Sequence, residues 1–166
     1  FLDAILRNTD NPVDGSVTPE YPHGGGAYFD VMGFHAYPHF DGTMRWWDNS
    51  IGGFHYERHS DQAISGITNR QNLYQGILEN YGYNGATYPN KEWIITESNL
   101  PRREFQDFIG NEDAQINYMA KAVVTCYKNA IHQFHVYNLG EAEFINSATR
   151  EFDVMGMYQK LIGTTE

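Results

Sequence analysis

The run KEWIITESNL, residues 91–100, places Trp93, Ile94 and Ile95 side by side and then, after Thr96, a bare acid, Glu97. A short apolar run of this kind, bounded by Pro89-Asn90 and Asn99-Leu100-Pro101, reads as a strand from 91 to 97 that ends in a carboxylate. An acid at the mouth of a buried strand costs desolvation energy unless it is paired, hydrogen-bonded or useful. The neighbouring residues narrow that choice.

On the C-terminal side, Ile116, Met119, Ala120, Val123, Tyr127 and Ala130 recur at spacings of three and four, predicting a helix over 112–130 with this stripe inward and Asn111 as its cap. A third strand is expected over 132–138 (HQFHVYN), and a last short helix over 152–162. On the N-terminal side, Leu73, Tyr74, Ile77, Leu78 and Tyr81 form the stripe of a helix capped by Thr68 or Asn69 and stopped by Gly82. Residues 38–68 read as a long loop, and YFDVMGFHAY, residues 28–37, as a strand apolar on both faces, as in a covered parallel sheet. Residues 9–27, rich in Pro and Gly, read as a loop, and 1–8 as the end of a helix.

Strands alternating with helices predict an α/β fold of parallel βα units. An open doubly wound sheet and part of a (β/α)8 barrel both fit that order. No phosphate-binding glycine motif follows a strand, because Gly24-Gly25-Gly26 precedes one. The 166 residues carry a formal charge of -10 with no Lys/Arg cluster, so neither nucleic acid nor a membrane surface is an expected partner. Cys126 is the lone cysteine and reads as buried filler. The chain opens at Phe1 in mid-pattern, and we read it as one partial domain, residues 1–166, of something longer.

In parallel α/β folds, reactive residues sit at the C-terminal ends of strands. Those ends are His35-Ala36-Tyr37, Thr96-Glu97 and Tyr137-Asn138. Alternation puts His35 and Tyr37 on the face of Val31 and Gly33, and Glu97 on the face of Trp93 and Ile95. If both faces look inward, an imidazole, a phenol and a carboxylate converge. On the third strand, His135 and Tyr137 are expected inward, with Phe134 and Val136 against the helices.

FDVMGFHAYP, then KEWIITES one βα unit later, then FHVYN resembles the last strands of a clan A glycoside hydrolase, a retaining (β/α)8-barrel glycosidase. The resemblance implies that the chain is the C-terminal half of a TIM-barrel catalytic domain, about strands six to eight. It implies Glu97 as nucleophile in a double displacement on a poly- or oligosaccharide, with His35 and Tyr37 as the H-x-Y pair beside it. Tyr137 stands where the family usually has Trp. A carbohydrate substrate, the remaining barrel half in the same or another chain, and a secreted or extracellular setting follow; no cofactor or metal does. The family's acid/base Glu lies upstream, in an N-E dipeptide on strand four. The one such dipeptide here, Asn111-Glu112, begins a helix, where a capping acid explains it.

Further substrate contacts are expected from His39, Trp46, Trp47 and Asn138. The bland alternatives are a structural ion pair for Glu97, core packing for His35 and Tyr37, and burial under the loop for Trp46-Trp47. His55-Tyr56-Glu57-Arg58-His59 imitates a metal-binding pair but follows Gly52-Gly53 with no helix signature. The rival function is a non-catalytic carbohydrate-binding or structural protein on the same scaffold.

Overall fold

The computed structural model describes residues 1–7, 13, 18–20, 26, 29–38, 45–56, 60–105 and 110–159, with the side chains of 45, 46, 54–56 and 60–63 outside that set. The elements are α1 (Leu2–Arg7), β1 (Val31–His35), β2 (Arg45–Asp48), β3 (Gly53–Tyr56), α2 (Ser60–Asn80), β4 (Glu92–Ser98), α3 (Glu112–Lys128), β5 (Ile131–Val136) and a 3-10 helix (Glu151–Val154). The chain is mixed α/β, with a three-stranded sheet in the order β1-β4-β5. β4 and β5 are parallel. Bonds from Glu92 N to Asp30 O and from Ala36 N to Glu97 O advance together along β1 and β4, the signature of a parallel pair.

Two compact units divide the chain: residues 1–32 with 70–92, and residues 33–69 with 93–166. In the first, Leu2 and Leu6 of α1 are buried, and the Tyr81 hydroxyl donates to Asp3 Oδ1 at 2.8 Å. Gly82 and Gly85 take φ of 89° and 80° in the turn that leaves α2, where a Cβ would be strained. The Lys91 ammonium lies 4.7 Å from the Tyr83 ring centre.

The second unit carries the C-terminal ends of all three parallel strands. Phe34, Trp93 and Ile95 are buried, and the Phe34 and Trp93 rings meet edge to face at 6.1 Å. Asn111 caps α3 as expected, its side chain accepting from Ala114 N at 2.8 Å.

Several expectations are corrected. α2 begins at Ser60, well before Thr68-Asn69, which lie inside the helix. Ile67, fully buried, anchors the added turns, and the roughly 1 kcal/mol cost of Gly66 is small beside that. The stretch read as loop contains a hairpin, with β2 and β3 antiparallel and Trp47 opposite Phe54. Asp48 Oδ1 accepts from Ser50 N at 2.7 Å and Gly52 adopts φ 61°, which closes the turn.

α3 turns a different face inward. Gln115, Tyr118, Ala122 and Cys126 are buried, whereas Ile116, Val123 and Tyr127 are 65%, 54% and 89% exposed. Gln115 donates to Leu100 O at 2.9 Å and Tyr118 shares a hydrogen bond with Ser98, so polar anchors set the rotation. Burial pushes the Cys126 thiol up to about 11, which leaves it inert. In place of the expected helix over 152–162 there is the 3-10 helix; residues 160–162 lie outside the described set.

Candidate functional site

Glu97 reaches its neighbours by a route that simple alternation does not give. A Cβ built on Gly33 would lie 2.9 Å from Thr96 Cγ2 and 3.6 Å from Ile94 Cγ1. Gly33 therefore shares a face with Ile94 and Thr96, while Phe34 shares one with Trp93. The expected match of the Val31–Gly33 face with the Trp93–Ile95 face is thus reversed. Between the pairs Ile95↔Phe134 and Ser98↔Val136, three steps of β4 oppose two of β5, a β-bulge. The inserted residue restores the convergence by turning Glu97 to the side of His35 and Tyr37.

There the Tyr37 hydroxyl donates to Glu97 Oε2 at 2.9 Å, and His35 Nδ1 lies 3.3 Å from the same oxygen. The carboxylate is 37% exposed, open enough to meet a ligand. Burial, and then the bond to Glu97, hold the Tyr37 phenol far above the ordinary tyrosine range, so it keeps its proton. The ring of Tyr37 is fixed by aromatic neighbours: Tyr137 at 6.2 Å and Phe152 at 5.3 Å, both edge to face. Phe152, from the 3-10 helix, also meets Tyr137 at 5.6 Å. Sequence reading missed this role, because Phe152 looks like any apolar residue of a terminal helix.

The third strand end sits beside this pair. Tyr137 follows β5, and the Tyr137–Asn138 peptide is cis. Asn138 Oδ1 is buried and has no hydrogen-bond partner among the described residues. Exposed His135 Nε2 and Gln133 Oε1 are 3.0 Å apart on one face, with Phe134 and Val136 half-buried on the other.

The Trp47 indole is half-exposed, its N–H donating to Asn49 Oδ1 at 3.0 Å within the hairpin. Trp46 lies on β2 with its side chain outside the described set, as does His39 entirely. His55 lies on β3 with its side chain likewise outside, and Glu57 to His59 are not among the described residues. Glu112 bonds Arg102 at 2.7 Å in the first turn of α3, a structural ion pair. Among the described residues no helix is long and apolar enough to cross a membrane.

The arrangement is a carboxylate held by a phenol and an imidazole at the ends of adjacent parallel strands. No protein family, curated protein or solved structure matches the chain.

Proposed function

We propose that the chain is the C-terminal part, about strands six to eight, of a retaining (β/α)8-barrel glycosidase, with Glu97 as the nucleophile. The observation that carries this reading is the Glu97–Tyr37–His35 constellation at neighbouring strand ends. A permanently protonated phenol can hold the attacking carboxylate in one rotamer and give its hydrogen bond to the anion as the glycosyl ester breaks down. His35 is proposed to meet a sugar hydroxyl, half-buried Asn138 to do so through the part of its amide other than the buried Oδ1, and Tyr137 to face the ring. His39, Trp46 and Trp47 are proposed for more distant sugar units. The acid/base carboxyl comes from the remaining barrel half, as retention requires two carboxyls roughly 5 Å apart. That half, in the same polypeptide or a second chain, also supplies cover for the exposed apolar residues of α3.

The test uses the complete polypeptide and fluorinated aryl β-glycosides that trap glycosyl-enzyme esters. Intact mass should rise by one fluoro-sugar, and peptide mapping should place it on Glu97. A label elsewhere, or hydrolysis with inversion, refutes the assignment. No label and no hydrolysis across gluco-, galacto-, manno- and xylo-configured probes favours a binding protein instead.

Tyr37→Phe isolates the phenol's part. A hydrogen bond to a charged group contributes roughly 1.5 to 3 kcal/mol, so kcat should fall about 10- to 100-fold. The ring contacts to Tyr137 and Phe152 survive the change, so the melting temperature should fall by no more than the roughly 3 to 12 °C that the lost bond itself carries. An unaltered kcat would reduce Tyr37 to packing.

A further inference from the structure

Behind the candidate site lies a pair of hydroxyls that no substrate can reach. Ser98 and Tyr118 are both fully buried. Ser98 Oγ donates to Ala36 O at 2.6 Å and lies 2.6 Å from the Tyr118 hydroxyl, which is itself 3.4 Å from Ala36 O. One proton arrangement serves all three atoms: Tyr118 donates to Ser98, and Ser98 donates to Ala36. The main chain adds two more ties. Ala36 N donates to Glu97 O at 2.9 Å, and Ser98 O accepts from Tyr137 N at 3.1 Å.

Ser98 therefore touches the ends of all three parallel strands. Ala36 lies between His35 and Tyr37, Ser98 follows Glu97, and Tyr137 begins the third strand's exit. The clamp is needed here because the bulge at 96–97 interrupts the regular ladder at the residue whose position matters most. Tyr118 reaches in from α3 and ties that helix to the same point. We propose that Ser98 and Tyr118 are positioning residues that hold the Glu97 carboxylate against Tyr37 and His35. This role rests on the glycosidase reading for its consequence in catalysis, though not for its geometry.

Ser98→Ala and Tyr118→Phe, made separately in the complete polypeptide, test it by crystallography and by kinetics on the aryl β-glycoside that the parent hydrolyses fastest. In Ser98→Ala the Tyr37–Glu97 contact should open beyond the ~3.5 Å limit of a hydrogen bond. Displacements of about 1 Å cost up to 100-fold in rate, so kcat should fall about 10- to 100-fold. KM should stay within about twofold, since the ligand-facing groups remain. Ser98→Thr, which keeps the hydroxyl, should restore the contact and most of kcat. Tyr118→Phe keeps its volume and should show the same change in smaller degree; it carries the comparison if Ser98→Ala does not fold. An intact Tyr37–Glu97 contact, or a loss of melting temperature with kcat unchanged, overturns the proposal. If the parent hydrolyses no glycoside, the glycosidase reading fails, and the contact distance alone then supports or overturns the clamp.

Discussion

Glu97→Gln in the complete polypeptide should lower turnover by several orders of magnitude while changing stability by only about 1 kcal/mol. The amide has the shape of the carboxylate, and its oxygen can still accept the Tyr37 hydrogen that now reaches Glu97 Oε2 at 2.9 Å. What it lacks is the anionic oxygen that, on the proposed mechanism, would attack the anomeric carbon. The competing account makes Glu97 a structural partner of His35, 3.3 Å away. That pair is open to solvent on both sides, with side-chain exposures of 55% and 37%, and such pairs contribute little to stability. The two accounts therefore part on rate, since both leave stability nearly unchanged. Steady-state rates on a competent glycoside separate them, with a denaturant melt to show that the variant is folded: a rate near that of the parent makes Glu97 structural.

The strand at 92–98 and the Asn111 cap were legible because their signals are local: an apolar run between breakers, and an Asn ahead of two acids. The convergence of Glu97, Tyr37 and His35 was expected from strand-end position together with alternation. Its route was not. Alternation counts residues in twos and cannot see an inserted one, so the reversal at Gly33 and its repair by the bulge needed coordinates. Faces of α3 were misread for a related reason. The most apolar stripe, through Ile116, Val123 and Tyr127, is not the buried one, because Gln115 and Tyr118 find distant hydrogen-bond partners at Leu100 and Ser98. The hairpin around Asn49 did carry a signal, aromatic residues flanking an Asx turn and two glycines, that the reading of 38–68 as loop passed over. Phe152 carried none, since its role is a ring contact with Tyr37 more than a hundred residues away.

Glu141→Ala should destabilise the protein by about 3 to 5 kcal/mol, the cost of leaving a buried charge without its partner. Glu141 Oε1 accepts from Arg102 Nε at 2.5 Å, and the two side chains are only 1% and 10% exposed. The bond to Glu141 holds the Arg102 guanidinium above its ordinary range, and without that bond the arginine still stays charged, because a guanidinium does not lose its proton near neutral pH. Its remaining acid, Glu112, is 64% exposed and offers a solvent-screened contact in place of a buried one. Backbone bonds run the same way as the ion pair: Arg102 N donates to Val154 O at 3.0 Å, and Glu141 N to Tyr158 O at 2.9 Å. The pair thus fastens the turn after β4 to the segment that carries Phe152, so losing it should also loosen the ring that packs on Tyr37. Replacing both partners by apolar residues, Arg102→Met with Glu141→Leu, removes the stranded charge and should recover most of the loss. Denaturant midpoints at constant slope measure both changes. A Glu141→Ala cost below about 1 kcal/mol would mean that water reaches Arg102 once the acid is gone, and the double replacement would then show no recovery.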